Sequence, residues 1–250
     1  MPAFHDHFSA RAPGYARFRP TYPDALFRWL AGLAPGRALA WDCATGSGQA
    51  AAGLVRHFDR VVATDASAAQ IAHAQPRANI EYRVAPAERS GLDAASTDLV
   101  TVAQALHWLS VDEFYAEARR VLRPRGVIAV WCYGDASLDD PELVRLLGAF
   151  TRETVAPYWP PERRHLDAGY RTLPFPFDQL ESPTFTLELA VTLAELTGYL
   201  RTWSATQRFV AAHGLDPVEA VEEALRVPWG DPAVPRTLRW PLALRVGRAG

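Results

Sequence analysis

Residues 38–55 restrict the fold of this chain more than any other stretch. They read as a short apolar strand, a turn of small residues that contains Gly46 and Gly48, and an alanine-rich helix. This order makes a site for an adenosine-containing cofactor in open α/β sheets. Glycine permits positive φ and lets a ligand approach the backbone, and the start of a helix presents free N–H groups.

The end of the turn narrows the choice of cofactor. A P-loop needs Gly-Lys-Ser or Gly-Lys-Thr, whereas this turn continues from Gly48 as Gln49-Ala50. The dinucleotide fingerprint G-x-G-x-x-G fits except at its last position, where alanine is tolerated. Asp42 lies four residues before Gly46, so the turn reads D-C-A-T-G-S-G. This acid favours a cofactor other than a dinucleotide.

A second acid follows the next predicted strand, at residues 60–64. Asp65 comes 17 residues after Gly48, close to the offset of about 20 residues expected of an acid that accepts hydrogen bonds from a ribose diol. The alternative is that Asp65 only caps a helix that starts near Ser67.

Composition bounds the class of protein. The chain has 250 residues, of which 49% are hydrophobic and 22% charged, and this suits one large core. Its net charge of -2 gives no basic field for nucleic acid. Cys43 and Cys132 make neither a zinc site nor a disulfide framework, so we expect buried free thiols and no metal. We also expect a cytoplasmic protein, because the sequence shows no signal-peptide pattern and no membrane-spanning apolar run.

Strand and helix patterns alternate five times over about 95 residues, which predicts a parallel, doubly wound α/β sheet. Residues 110–113 have the S-x-x-E pattern of a capping box. Residues 141–155 read as one helix, and residues 156–177 as a long connection of the kind that is usually functional. The strand predicted at residues 237–246 contains Pro241, which suggests an exposed edge or a bulge.

The phrases WDCATGSGQ, VVATDAS, APAER, DLVTVAQALHW and VLRPRGVIAVW occur in this order. Together they resemble the motifs of class I S-adenosylmethionine-dependent methyltransferases of type 11, although Ala44 stands where that family usually has its first glycine. YARFRPTYP and YLRTWSATQRF are similar to the trans-aconitate methyltransferase-like branch. The resemblance implies a Rossmann-like, doubly wound, seven-stranded sheet of order 3-2-1-4-5-7-6, with helices on both faces and a helical cap after strand 5.

The expected organisation is a single domain, residues 1–250. It comprises an N-terminal flap and helix (1–35), a cofactor-binding half (36–134), a cap and substrate region (135–235) and a last strand (236–250).

The resemblance also implies S-adenosylmethionine as the cofactor and assigns its contacts. The residues after strand 3 flank the adenine, and those at the tip of strand 4 line the sulfonium. Arg19 in the flap is a candidate partner for the cofactor carboxylate, which suits a bidentate contact. The expected cofactor residues are Tyr15, Arg19, Asp42, Ala44, Gly46, Gly48, Asp65, Ala66, Ala87, Glu88, Gln104 and Ala105.

On the acceptor side, His107 is the candidate base, since it follows strand 4 and its intrinsic pKa is near neutral. A packing role for His107 fits equally well. Arg163 and Arg164 are candidates for recognising an acidic acceptor, or they form a solvated face. A carboxylate acceptor would need no strong base, because it is already anionic at neutral pH. The expected acceptor-side residues are Trp108, Trp131, Tyr133, Trp159, Arg163, Tyr170 and Trp203.

The expected reaction is therefore in-line methyl transfer to a small-molecule acceptor, with positioning as the main catalytic device. We expect a monomer or homodimer with no nucleic-acid or membrane partner. Two alternatives stay open: a pseudoenzyme that binds S-adenosylmethionine or S-adenosylhomocysteine, and a nicotinamide-dependent oxidoreductase that uses the same turn. The absence of lysine counts against an oxidoreductase with a Tyr-x-x-x-Lys pair.

Overall fold

The computed structural model describes residues 21–249, so Tyr15 and Arg19 lie outside the described residues. Seven strands form one sheet in the order β3-β2-β1-β4-β5-β9-β6, and two more pair as a separate sheet. The strands are β1 (Leu39–Cys43), β2 (Arg60–Asp65), β3 (Ile80–Val84), β4 (Thr97–Ala103), β5 (Leu122–Cys132), β6 (Asp178–Leu180), β7 (Thr186–Val191), β8 (Arg236–Pro241) and β9 (Ala243–Arg248).

Strands β1 to β5 run parallel and form the centre of the main sheet. Every residue of β1 is buried, as expected of a parallel strand that is covered on both faces. The helices α1 (Asp24–Leu33) and α2 (Gln49–Leu54) pack on one face. On the other face lies α4 (Val111–Val121). The doubly wound arrangement is therefore confirmed.

The predicted last strand proves to be two strands. β8 ends at Pro241 and pairs with β7, whereas β9 pairs antiparallel with β5 in the main sheet. Pro241 has no N–H for a ladder bond, and the next N–H, that of Leu242, donates to the Phe185 carbonyl at 2.9 Å. The short strand β6, which was not predicted, lies beside β9. Counted along the chain, β6 is the sixth strand of the main sheet and β9 is the seventh. The implied order 3-2-1-4-5-7-6 is therefore confirmed.

Five helices lie between β5 and β8. The predicted helix at residues 141–155 is α-helical only as α5 (Pro141–Ala149), and it continues as a π-helical turn over Phe150–Thr154. The other cap helices are α6 (Arg163–Asp167), α7 (Leu193–Arg201), α8 (Ser204–His213) and α9 (Val218–Trp229). One short helix, α3 (Ala68–Ala72), precedes β3 in the cofactor-binding half.

The capping box predicted at residues 110–113 is wrong. The Ser110 side chain makes no capping hydrogen bond, and its ψ of 87° departs from extended backbone. Thr192 has a ψ of 166° and forms a complete capping box with Glu195 at the start of α7. The backbone conformation at the residue before the helix therefore decides which of the two S/T-x-x-E sequences forms a capping box.

Both cysteines, Cys43 and Cys132, are buried and free. Within residues 21–249, no helix has the length and apolar character needed to cross a membrane. The same residues contain no cluster of three or more His, Cys, Asp or Glu side chains that could hold a metal ion.

Candidate functional site

The glycine turn connects β1 to α2 in the left-handed region of backbone space. Gly46 and Gly48 have φ of 58° and 88°, and Ala44 has φ of 53° despite its side chain. A Cβ on Gly48 would overlap the Tyr82 hydroxyl and lie 2.8 Å from its Cε1 atom. Only glycine fits at that position without a shift. Tyr82 on β3 therefore shapes the turn, although nothing in its local sequence indicated this role.

Asp42 anchors the turn from below. Its buried carboxylate accepts hydrogen bonds from the Thr45 hydroxyl at 2.5 Å, the Thr101 hydroxyl at 2.8 Å and the Ala51 N–H at 3.1 Å. Burial raises the pKa of Asp42 to about 6, although these three donors favour its charged form. Asp42 thus ties β1, β4 and α2 together beneath the turn.

Asp65 closes the turn from the end of β2. One carboxylate oxygen accepts from the Gly46 N–H at 2.8 Å, and the other accepts from the Ser67 N–H at 2.9 Å. The N-cap residue of α3 is Ser67, whose hydroxyl accepts from the Gln70 N–H, and Asp65 accepts from the Ser67 N–H just before the helix. Asp65 thus bridges the glycine turn and the residues that lead into α3.

The charges of three predicted acids act on the buried Cys43 thiol at the end of β1. Burial raises the pKa of the Cys43 thiol, and the charges of Asp42, Asp65 and Glu88 raise it further. Asp42 lies in β1, and Asp65 accepts from the Gly46 N–H in the turn that follows β1. Ala87 beside Glu88 is buried, whereas Ala66 after Asp65 is exposed.

Gln104 fastens the tip of β4 to the tip of β5. Its side-chain N–H donates to the Tyr133 carbonyl at 3.0 Å, and its side-chain oxygen accepts from the Tyr133 N–H at 2.8 Å. Gln104 has φ of 58°, a strained value for a residue with a side chain. Its amide group is used within the protein, so Gln104 positions this edge of the sheet. Ala105 follows it, half-buried.

His107 lies in a 3-10 turn just beyond β4 and pairs with the cap. Its Nδ1 atom lies 3.0 Å from the hydroxyl of Tyr170, a buried residue. Burial lowers the pKa of His107 to about 3, and His165 contributes to the shift. The near-neutral pKa expected for a base is therefore wrong: at neutral pH the imidazole is uncharged and binds a proton weakly. Trp108 packs beside it, with ring centroids 4.7 Å apart.

The predicted acceptor-side tryptophans divide into two groups. Trp131 is fully buried, and its ring meets Tyr22 edge-on at 5.5 Å, so it supports the site from within the core. Trp159 and Trp203 are half-buried in the cap, with centroids 5.4 Å apart. Tyr199 and Trp240, which were not predicted, continue this aromatic group from Trp203 to Tyr133 at the tip of β5.

Arg163 does not present a free charge to an acceptor. Its guanidinium pairs with Asp135 at 2.5 Å and with Asp167 at 2.9 Å. It also lies over the Trp159 ring, 4.1 Å from the centroid. Two carboxylates neutralise the cation, so Arg163 fastens α6 to the segment after β5. The adjacent Arg164 approaches the His165 ring at 3.4 Å.

These features define a class of protein. The turn after β1, the acid at the end of β2 and the tips of β3 and β4 meet at the carboxyl edge of a parallel sheet, where adenosine cofactors bind. The antiparallel β9 inserted beside β5 distinguishes this sheet from the six-stranded 3-2-1-4-5-6 order of dinucleotide-binding folds.

Comparisons with known proteins agree. A family model described as a methyltransferase domain matches residues 41–130. A methyltransferase of Dictyostelium discoideum is 34% identical over 227 residues, which cover 89% of this chain and 86% of the relative. A solved type II methyltransferase from Anaeromyxobacter dehalogenans is 46% identical with a TM-score of 0.89, covering 93% of this chain and 98% of that one. An S-adenosylmethionine-dependent methyltransferase of Saccharomyces cerevisiae is 29% identical over 128 residues, 48% of this chain and 44% of the relative.

The chain belongs to the class I S-adenosylmethionine-dependent methyltransferases, and S-adenosylmethionine is its cofactor. The residues that the structure describes at this site fit S-adenosylmethionine. The turn at Gly48 has no room for a Cβ, and the Asp65 carboxylate lies beside the turn, where it accepts from the Gly46 N–H.

Proposed function

We propose that the enzyme transfers the methyl group to a carboxylate oxygen of a small organic acid. The observation that carries this proposal is the setting of His107, the candidate base: its Nδ1 atom lies 3.0 Å from the hydroxyl of the buried Tyr170, and burial lowers its pKa to about 3. An alcohol acceptor would require a base to remove its proton, whereas a carboxylate is already deprotonated at neutral pH. The phrases that are similar to the trans-aconitate methyltransferase-like branch support the same acceptor class.

When bound, S-adenosylmethionine supplies the methyl group and an excellent leaving group. A bond forms from the acceptor oxygen to the methyl carbon, while the S–CH₃ bond breaks and its electron pair stays on sulfur. The products are a methyl ester and S-adenosylhomocysteine, and no proton is transferred. The protein contributes position and a dry site.

In this proposal the residues of the site bind or position different parts of the cofactor. Asp65 binds the ribose hydroxyls, and Glu88 with Ala87 flanks the adenine. The backbone of the turn at Gly46 contacts the methionine portion, and Gln104 fixes the strand tips that face the sulfonium.

The cofactor contacts can be tested by isothermal titration of the purified protein with S-adenosylmethionine, S-adenosylhomocysteine, NAD and NADP. We expect saturable heat with the first two ligands and its loss in Asp65→Ala. Asp59→Ala is the matched control, because Asp59 is an exposed acid just before β2. Heat with NAD or NADP alone would refute the cofactor assignment, and unchanged binding in Asp65→Ala would refute the role of Asp65.

The acceptor class requires a turnover assay. Production of S-adenosylhomocysteine and a methyl ester is followed by mass spectrometry with carboxylic acids and, in parallel, with alcohols of the same carbon skeleton. We expect ester from the acids only. Turnover of alcohols but not acids would overturn the carboxylate proposal, and cofactor binding without any turnover would favour the pseudoenzyme.

A further inference from the structure

The turn that carries His107 is fixed to the tip of β4. The Trp108 N–H donates to the Ala105 carbonyl at 2.9 Å and closes the 3-10 turn at Leu106–Trp108. Consecutive Cα atoms are about 3.8 Å apart, so the Cα atom of His107 lies within about 7.6 Å of that of Ala105. His107 therefore lies at the same edge of the sheet as Gln104 and Ala105, the residues expected to line the sulfonium.

The two nitrogen atoms of the His107 ring have different surroundings. Nδ1 lies 3.0 Å from the Tyr170 hydroxyl, whereas among residues 21–249 no group hydrogen-bonds to Nε2. In the same part of the chain, the unpaired side-chain polar atoms that are buried from solvent are Nε1 of Trp131 and Oγ1 of Thr206. Nε2 of His107 is not one of these atoms, so it keeps contact with solvent and is open to a ligand.

The Tyr170 hydroxyl is the donor of the hydrogen bond to His107. Tyr170 is fully buried, and in the part of the chain that the structure describes its O–H has one acceptor at hydrogen-bond distance, Nδ1 of His107. Burial raises the pKa of this hydroxyl well above its ordinary value, and the backbones of Leu106 and His107 oppose only part of the shift. The hydroxyl therefore keeps its proton at neutral pH. A proton on Nδ1 would leave that buried O–H without an acceptor, which is costly. Because a neutral imidazole carries one N–H, the proton of His107 is on Nε2.

The backbone around Tyr170 is held in a strained conformation. Tyr170 has φ of 60°, in the left-handed region that residues with a side chain rarely adopt. Its N–H donates to the His165 carbonyl at 2.8 Å, and its carbonyl accepts from the Arg245 guanidinium of β9 at 3.0 Å. A Cβ on the preceding Gly169 would lie 2.8 Å from the Cβ of Ala243, so this close approach to β9 requires glycine. Such strain persists only where the surrounding structure maintains it, and it concentrates at functional sites.

We propose that Tyr170 is a positioning residue that holds His107 as its Nε2–H tautomer, and that this N–H donates a hydrogen bond to a carboxylate oxygen of the methyl acceptor. The inference rests on the proposed function for the nature of the acceptor, whereas the tautomer of His107 does not depend on it. A neutral donor suits the task, because it orients the acid without taking up or releasing a proton. The hydrogen bond to an anion is charge-assisted and favours acids over their neutral analogues.

Imidazole ¹⁵N NMR of the full-length protein at neutral pH tests the tautomer, because a protonated and an unprotonated ring nitrogen give separate resonances. The chain has seven histidines, and the signals of His107 are identified by their loss in His107→Gln. We expect the Nε2–H form in the wild type and a mixture of tautomers in Tyr170→Phe, which removes only the hydroxyl. Tyr158→Phe is the matched control, because it removes another tyrosine hydroxyl of the cap that pairs with a histidine, His213.

The contact with the acceptor is tested on the same resonance. Hexanoate, benzoate and glutarate are added to the complex with S-adenosylhomocysteine, and their neutral amides serve as controls. We expect the acids to shift the Nε2 signal of His107 and the amides to bind about tenfold more weakly, because a hydrogen bond to a charged group is the stronger one.

The turnover assay separates a positioning role from a merely structural one. Tyr170→Phe should lower kcat/KM for acids about two- to tenfold, the effect of losing one neutral hydrogen bond, and leave the affinity for S-adenosylmethionine unchanged. His107→Phe, which removes the donor, should lower kcat/KM at least about tenfold. His107→Gln restores a side-chain N–H and should recover most of that loss.

The Nδ1–H tautomer or an imidazolium ion in the wild type, or an unchanged tautomer in Tyr170→Phe, would overturn the inference. Absence of a shift with all three acids would overturn the contact with the acceptor. Thermal unfolding checks the fold of each variant, and the wild-type spectrum decides the tautomer even if Tyr170→Phe does not fold. Turnover of alcohols but not acids would refute the proposed function and leave the tautomer of His107 standing, so the two failures are distinguishable.

Discussion

Replacing Ala44 with glycine is expected to stabilise the protein. Ala44 has φ of 53°, and the left-handed conformation costs an L-residue about 1–2 kcal/mol. Glycine would remove that strain but lose about 0.5–1 kcal/mol through the greater freedom of the unfolded chain. The net gain is about 0.5–1 kcal/mol, which corresponds to an increase in Tm of about 1–4 °C for a chain of this size.

Differential scanning calorimetry and urea unfolding can measure this gain against two controls. Ala95→Gly, in an exposed loop with φ of 50°, should gain as much, because the strain there is the same. Ala52→Gly, inside α2, should instead lose about 0.5–1 kcal/mol. A loss of stability in Ala44→Gly, alongside a gain in Ala95→Gly, would refute the claim that Ala44 is strained.

Three further expectations address other parts of the structure. Gly48→Ala should lose more stability than Gly46→Ala in urea unfolding, because only the first adds a Cβ that overlaps Tyr82; equal losses would contradict this. His107→Gln should lower kcat less than about 100-fold and leave its pH dependence near neutrality unchanged, since a general base contributes about 10²–10⁴-fold; a larger loss would restore the base. Glu117→Gln should make Tm less sensitive to acid. Hydrogen bonds from Arg120 lower the pKa of Glu117 to about 2, so the stabilisation of the folded state by this carboxylate is lost as pH falls from 4.5 toward 2. An unchanged dependence of Tm on acid pH would contradict this.

The cofactor half was predictable because its signals are local. The turn at Gly46 and Gly48 can be recognised from a few consecutive residues. The apolar runs of β1 to β5 have the length and composition of buried parallel strands. The position of Asp65 followed from the same regularity, since each strand of such a sheet ends at the same edge.

Strand β6 could not be found in this way. Its three residues, Asp178–Leu180, are half-buried or exposed and carry no apolar period. They form a strand only because β9, more than 60 residues later in the chain, supplies a partner. The division of the last strand depended likewise on a distant partner, β7, although Pro241 indicated that the strand was interrupted.

The charge states of Arg163 and His107 on the acceptor side could not be predicted for a related reason. The sequence presents Arg163 as a cation but does not show that Asp135, 28 residues earlier, neutralises it. His107 has a near-neutral pKa as a free side chain, and its burial beside Tyr170, 63 residues away, together with the nearby His165, lowers that value. Charge state and burial of a side chain are tertiary properties, whereas residue spacing reports only local structure.

The crossing of the chain at Leu242 has a consequence for engineering. β8 completes the small sheet of the cap, and β9 completes the main sheet that carries the cofactor site, with a single residue between them. A chimera that exchanged residues 135–235 alone would pair a new β7 with the old β8 and mismatch the residue pairs of that two-stranded sheet. An exchange boundary placed after Pro241 would transfer both strands together and leave β9 in register with β5. We therefore expect residues 135–241 to be exchangeable as one unit whose end is Pro241.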